Sequence, residues 1–309
     1  MLTEFPKRKN FSEDVIHRLR KSLIGVPANF AVVAVGSVAR REACDASDLD
    51  YFLLFDDGEE DHAKAVMDDI KATNQPIVPK APSSHGPFAQ PESTAGMLMN
   101  IGGEYDGNFK ITRRILLLLE GEWLANREKY ISVRNEILRL YVRDAIAERT
   151  IARFLLNDFI RYYRTISVDF EHKTTEAGKD WGDRYVKLIF PRKLIYFGGI
   201  LAIAETQNLT AEQKRETLRK LFDMPPIERI HHICGDSAIP TLKIYDRFLS
   251  IFASSSTRDT LKALHQCDRK DCAVFCDLKA LGQDFTSAFR TMLEKKYDAE
   301  HPIFSALLA

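Results

Sequence analysis

The hydrophobic residues in the first third of the chain occur in short unbroken runs separated by polar segments. Residues 30–35 (FAVVAV) and 49–55 (LDYFLLF) are two such runs, and both are rich in β-branched or aromatic side chains. Runs of this length and composition are typical of buried β-strands. Gly-Ser follows the first run and DDGEED follows the second, so each predicted strand has a clear end.

The segments around these strands predict helices and one long loop. Residues 11–24 carry an apolar stripe at helical spacing, with Ser12 as a suitable N-cap, and residues 61–73 predict a second helix. Residues 74–94 are rich in proline and serine and have no periodicity. They predict a loop of a length that is often functional or mobile. The run GMLMNIGG at 96–103 predicts a third short strand.

From residue 111 onward the apolar spacing becomes helical. The segment 111–124 (ITRRILLLLEGEWL) predicts one helix, and residues 132–172 predict one long helix or two shorter ones. Further helices are predicted near 185–207, 210–222, 240–253, 257–266 and 282–296. The expected fold class is therefore α/β (α+β), with a head domain at 1–125 and an all-helical domain at 126–309.

Composition and charge narrow the function classes. The 309 residues include 44 Lys+Arg and 44 Asp+Glu, so the formal net charge is zero. A generic nucleic-acid coat or a polybasic membrane binder needs a large positive excess, so both are disfavoured. No apolar run approaches the roughly 18 residues of a membrane span. The N-terminal residues lack the apolar core of a secretory signal, and five cysteines do not form a disulfide framework, so we expect a cytoplasmic protein.

The candidate chemistry lies between the two predicted strands. The first strand runs into Gly36-Ser37, and Asp48 and Asp50 stand at the entry of the second strand. Residues i and i+2 of a strand point to the same face, so these two carboxylates are expected side by side. Mg²⁺ binds carboxylates together with substrate phosphate oxygens. Gly36 lacks a Cβ and Ser37 offers a hydroxyl and an N–H, which suits a phosphate group.

The motif G-S-x-A-R-x-E-x-x-x-x-S-D-L-D at 36–50 resembles the signature of the polymerase-β-like nucleotidyltransferase superfamily. Its spacing is similar to that of the bacterial protein-PII uridylyltransferases, the minimal nucleotidyltransferases and the aminoglycoside adenylyltransferases. It looks closest to nucleotidyltransferases related to the uridylyltransferase head domain. The resemblance covers roughly residues 30–56, and a weaker similarity extends to about residue 125.

The resemblance implies a small mixed sheet flanked by helices and a reaction that uses two divalent metal ions, Mg²⁺ or alternatively Mn²⁺. A nucleoside triphosphate would donate its nucleoside monophosphate to a hydroxyl of a protein or small-molecule acceptor, and pyrophosphate would be released. Asp48 and Asp50 would hold the metals, while Gly36, Ser37, Arg40 and Ser47 would lie at the nucleotide. For Arg40, a structural salt bridge with Glu42 or Asp48 is an equal alternative.

Such enzymes take a third carboxylate from a later strand. Asp56 and Asp57 lie too far along the second strand to share metals with Asp50. The candidates are Glu104 and Asp106. We prefer Asp106 as a catalytic and metal-binding residue, because the segment GGxxDxNxxITRR followed by LLLLEG is similar to the segment after the sheet in the uridylyltransferase relatives.

The helical domain of the family often supplies Lys or Arg to the triphosphate. The segment 178–199 holds a local positive excess, and Lys187 and Arg192 flank an apolar face from which they could point inward. The alternative is that Lys187 and Arg192 are solvated charges on a helix and have no role at the nucleotide. The Cys and His residues at 231–276 do not have the paired spacing of zinc sites, so we expect thiols without metal.

Three functions are therefore compared. The first is a nucleotidyltransferase that modifies a protein or small molecule. The second is an RNA-tailing enzyme or a nucleotide second-messenger synthase of the same superfamily, which the neutral charge and Arg40-Arg41 disfavour. The third is a catalytically silent nucleotide-binding regulator.

Overall fold

The computed structural model describes residues 2–80 and 86–308, and a mixed four-stranded sheet forms the centre of its first part. The strands are β1 (Phe30–Val35), β2 (Asp50–Phe55), β3 (Glu92–Ser93) and β4 (Glu122–Ala125), and their order in the sheet is β3-β2-β1-β4. β1 pairs antiparallel with both β2 and β4, and β3 adds to β2 in parallel. The predicted α/β (α+β) class with a small mixed sheet is confirmed.

Five helices accompany the sheet: α1 (Phe5–Ser22), α2 (Gly36–Ala39), α3 (Glu60–Asn74), α4 (Thr94–Leu98) and α5 (Asn108–Leu119). α1 begins six residues before its predicted start, because the backbone N–H groups of Thr3, Glu4 and Phe5 donate to the distant Asp246 carboxylate. An acceptor supplied from another part of the chain caps this end, and local sequence does not reveal it.

Two predictions for residues 96–124 are wrong. The apolar run at 96–103 is not a strand: Ser93 caps α4 by accepting the Gly96 N–H at 2.9 Å, and turns follow. The predicted helix at 111–124 ends at Leu119, and Glu122–Ala125 forms β4. The sheet gains its fourth strand there because this segment pairs with β1.

Helices make up the second part of the chain. They are α6 (Arg127–Tyr141), α7 (Arg153–Thr175), α8 (Trp181–Lys187), α9 (Lys193–Ala204), α10 (Ala211–Phe222), α11 (Pro226–Cys234), α12 (Ile239–Ala253), α13 (Ser255–Ala263), α14 (Ala273–Lys296) and α15 (Pro302–Leu307). The predicted segment 132–172 is thus two helices, and α11 and α15 lay outside the predicted set. A π-helical turn, Leu188–Arg192, joins α8 to α9.

Both faces of the sheet are buried. On one face, Val32 and Leu53 belong to an apolar cluster with residues of α1 and α3. On the other face, Val33 and Phe52 belong to a larger cluster that continues into the helical part and includes Phe190. The sheet and the helical part therefore share one core. β4 ends at Ala125, and the division into 1–125 and 126–309 stays a prediction.

Candidate functional site

The pairing of β1 with β2 brings Gly36 to Asp50. Val35 and Asp50 are partners across the two strands, so the residue after β1 lies beside the first residue of β2. Gly36 has a φ of +73°, and a Cβ built on it would lie 2.9 Å from Asp50 Oδ2. Glycine is the residue that adopts this backbone conformation without steric cost. The turn after β1 and the Asp50 carboxylate are therefore in direct contact.

Asp48 lies in the loop before β2 and is close enough to affect Asp50 electrostatically. Burial and the charge of Asp48 raise the pKa of Asp50 to about 6, against the opposing charges of Arg192 and Lys187. The Asp48 side chain is 44% exposed, and its Oδ2 lies 3.9 Å from Lys80 Nζ in the long loop. The charges of Asp48, Arg192 and Lys187, which the sequence predicted separately, thus all act on Asp50.

The helical part supplies these two cations. Arg192 ends the π-helical turn, and its guanidinium lies 3.6 Å from Glu120 and 3.4 Å from the Tyr162 hydroxyl. Lys187 ends α8 and is exposed, and it forms an ion pair with Asp183 at 2.8 Å. The π-helical turn lies between Lys187 and the start of α9, and Pro191 within it has no N–H for the α-helical pattern.

Ser37 and Ser47 take different places. Ser37 is half-buried in the first turn of α2, where backbone N–H groups have no partner within the helix. The Ser47 hydroxyl accepts the N–H of Cys44 at 3.0 Å, and the Ser47 N–H donates to the Cys44 carbonyl at 2.9 Å. Ser47 therefore shapes the loop that carries Asp48.

Arg40 is not open to a phosphate, which corrects its prediction as a nucleotide-binding residue. Its side chain is 7% exposed, Nε donates to Glu42 at 2.8 Å, and Nη1 donates to Glu120 at 2.7 Å. Glu42 in turn accepts the Tyr245 hydroxyl of α12 at 2.9 Å. The structural alternative for Arg40 is the one observed, with Glu42 as one of its two partners.

Asp106 does not join the carboxylate pair, which corrects its prediction as a metal ligand and catalytic residue. Its side chain is fully buried, and it accepts hydrogen bonds from Arg114 at 2.7 Å, from Arg161 at 2.9 Å and from the Gly102 N–H at 2.9 Å. Burial would raise the pKa of Asp106, but these donors outweigh it and lower the pKa. This carboxylate fixes the loop before α5 to α7.

The alternative third carboxylate, Glu104, is exposed on the same loop. Among residues 2–80 and 86–308, no three His, Cys, Asp or Glu side chains are grouped so that they could hold a metal ion. This holds for the acidic site and for the Cys and His residues at 231–276. Cys234 is buried, whereas Cys267 and Cys276 are exposed.

Sequence reasoning missed Glu120, the third acidic side chain near the pair. It follows α5, and its charge acts on Asp50. Burial alone would raise the pKa of Glu120, but Arg40, Arg192 and the Gly36 N–H outweigh it and lower the pKa. The only local signal is an acid placed directly after the run LLLL.

The first two strands and the carboxylate pair lie in a part of the chain that is similar to a nucleotidyltransferase family. Residues 8–76 match a family model described as "Putative nucleotidyltransferase DUF294", and this range contains Gly36, Ser37, Asp48 and Asp50. The superfamily relationship predicted from the 36–50 motif is thereby confirmed for this part of the chain. The match does not test the closer similarity to protein-PII uridylyltransferases, which stays a prediction. No curated protein matches the chain.

No helix of the described chain combines the length and the apolar character that crossing a membrane requires.

Proposed function

We propose that the chain is a metal-dependent nucleotidyltransferase that transfers a nucleoside monophosphate from a nucleoside triphosphate to a hydroxyl of a protein or small-molecule acceptor. The observation that carries the proposal is the contact of Asp50 with the Gly36 turn, with Asp48, Arg192 and Lys187 acting on the same carboxylate. Two acids beside a tight turn, faced by two cations, suit a metal-bound triphosphate.

The donor set of the pair fits a divalent metal ion. Asp48 and Asp50 provide hard oxygen ligands, and Mg²⁺ or Mn²⁺ completes its coordination with water and phosphate oxygens. The space where a Gly36 side chain would lie is taken by the Asp50 carboxylate, so the turn leaves room for this oxygen. When bound, the metal neutralises the phosphate charge and orients the phosphates. We propose that two such metal ions take part in the reaction.

The chain's own residues bind and orient the reactants. The first turn of α2, in which Ser37 is half-buried, is proposed to receive the β- and γ-phosphates, and Arg192 and Lys187 to neutralise charge on the departing pyrophosphate. The acceptor oxygen forms a bond to the α-phosphorus, the bond to the bridging oxygen of the β-phosphate breaks, and the hydroxyl proton passes to water. Free cysteines fit the reducing cytoplasm that we propose as its location.

One observation favours a second candidate, a nucleotide-binding regulator without catalysis. Asp106 is engaged by Arg114 and Arg161, and the described residues place no third free carboxylate at the pair. Such a protein would bind a metal nucleotide through Asp48 and Asp50 without turnover.

A test measures binding and turnover together. The full-length protein is incubated with each of the four labelled nucleoside triphosphates and Mg²⁺ or Mn²⁺, with a protein and metabolite extract as the acceptor pool, and pyrophosphate release and label transfer are followed. We expect turnover that falls at least about 100-fold in Asp48→Asn and Asp50→Asn. Asp45→Asn, an exposed acid in the same loop, is the matched control and keeps activity.

Binding without turnover would instead support the regulator. Absence of both nucleotide binding and turnover in the wild-type protein would overturn the proposal.

A further inference from the structure

Glu120 joins parts of the site that are far apart in sequence. Its side chain is fully buried; Oε1 accepts the Gly36 N–H at 2.9 Å, and Oε2 accepts Nη1 of Arg40 at 2.7 Å. Arg192 Nη1 lies 3.6 Å from Oε1. A single carboxylate therefore contacts the turn after β1, the residue after α2 and the arginine of the π-helical turn.

This position is unfavourable for a carboxylate. Glu120 is the C-cap of α5, where the helix dipole is negative and disfavours an acid. Buried ion pairs can often be replaced by apolar side chains without loss of stability, because desolvation offsets their attraction. The Arg229 guanidinium donates to the neighbouring Leu119 carbonyl at 2.6 Å, so a third arginine is engaged at this helix end. Stability alone does not account for this arrangement.

The contact with Gly36 connects Glu120 to the carboxylate pair. The Gly36 N–H is directed to Glu120, and the same residue, at a φ of +73°, lies against Asp50. The Gly36 N–H is thus occupied, and phosphates must be received by the turn that follows it. Without Glu120, this buried N–H loses its acceptor and two arginines lose the acid between them.

We propose that Glu120 is a positioning residue that fixes the Gly36 turn beside Asp50 and holds Arg192 toward the carboxylate pair. The proposal deepens, and for its role in catalysis rests on, the proposed nucleotidyl transfer. Glu120 does not touch the nucleotide and acts through Gly36 and the two arginines.

The test compares Glu120→Ala, Glu120→Gln and the control Glu122→Ala in the full chain. Glu122 is also a glutamate paired with two arginines, Arg20 and Arg41, but it has no contact with Gly36. Amide hydrogen exchange of a peptide covering residues 34–40, which leaves out Arg41, reports on the turn, and titration with each Mg²⁺-nucleoside triphosphate reports on the site.

We expect Glu120→Ala to exchange about tenfold faster in this peptide and to bind nucleotide about tenfold more weakly, since one buried hydrogen bond is lost. Glu120→Gln should restore most of both properties, because its amide oxygen can accept the Gly36 N–H. A merely structural role would lower thermal stability without this local pattern or its rescue.

Equal exchange in Glu120→Ala and Glu122→Ala would overturn the positioning role, as would Glu120→Gln that exchanges as fast as Glu120→Ala. Faster exchange in Glu120→Ala, combined with no nucleotide binding by the wild-type protein, would support the positioning role and overturn the proposed function. If Glu120→Ala does not fold, exchange and nucleotide affinity are compared between Glu120→Gln and Glu120→Asp. The positioning role then predicts faster exchange and weaker binding in Glu120→Asp, because its shorter side chain draws back from Gly36.

Discussion

Gly36 combines two local requirements that other residues do not meet. Its φ of +73° is unfavourable for a residue with a Cβ, and a Cβ there would lie 2.9 Å from Asp50 Oδ2. The first requirement concerns the backbone and the second concerns the carboxylate pair. The two can be separated, because Gly58 also has a positive φ of +90°, yet a Cβ at Gly58 would meet no atom within 4 Å.

Gly36→Ala is expected to cost about 1–2 kcal/mol of unfolding free energy from backbone strain and also to displace Asp50. Gly58→Ala should cost a similar strain but leave the site unchanged. Thermal melts with and without Mg²⁺ and nucleoside triphosphate measure both effects: the ligand should raise the melting temperature of the wild-type protein and of Gly58→Ala, but not of Gly36→Ala. An equal ligand response in the two variants would contradict the role given to Gly36.

Two predicted site residues that the structure brings into contact, Gly36 and Asp50, are close to each other in the chain. Gly36 and Asp50 are joined by one strand pairing, and a short motif is enough to predict it. Asp106 and Glu120 show why the rest could not be predicted. Asp106 is engaged by Arg161, 55 residues away, and Glu120 contacts Gly36 across 84 residues. Local spacing carries no information about which distant arginine or amide will reach a given acid.

At the scale of elements, β1 and β2 were predictable because their apolar runs are unbroken and bounded by polar residues. β4 was not predictable, since EWLA follows an apolar helix after only two residues and its strand character comes from pairing with β1. The π-helical turn could not be predicted either, although Pro191 within it is visible in the sequence. This turn ends at Arg192, whose charge acts on Asp50.

This turn separates two neighbouring cations. Arg192 lies beside Glu120 and acts on Asp50, whereas the next residue, Lys193, donates to Thr286 of α14 at 2.8 Å. Arg192→Ala should weaken binding of Mg²⁺-nucleoside triphosphate about tenfold or more, because a charge facing the phosphates is removed. Lys193→Ala should stay within about twofold of wild type. Isothermal titration checks both, and equal losses would show that Arg192 has no special place at the site.

At the scale of the whole molecule, the helical part contacts the head at the start of α1 and beside the site. Asp246 of α12 accepts the N–H groups that begin α1, and Arg8 of α1 donates to the Leu249 carbonyl at 2.6 Å. Tyr245, the neighbour of Asp246, donates to Glu42, which is paired with Arg40. The helix α12 therefore links the start of the chain to the loop beside the carboxylate pair.

Asp246→Ala is expected to lower the unfolding free energy at pH 7 by about 2 kcal/mol, because the first N–H groups of α1 lose a charged acceptor. Burial would raise the pKa of Asp246, but the N–H groups of Thr3, Phe5 and Glu4 outweigh it and lower the pKa. A carboxyl with a lowered pKa stabilises the fold above its unfolded pKa of about 3.9 and loses this contribution as the pH falls through the folded pKa.

Denaturant melts should therefore show a constant difference between wild type and Asp246→Ala from pH 7 to about 5, and a shrinking difference toward pH 3. Asp236→Ala, an exposed acid just before α12, should match wild type throughout, and a difference that grows on acidification would contradict the role of Asp246.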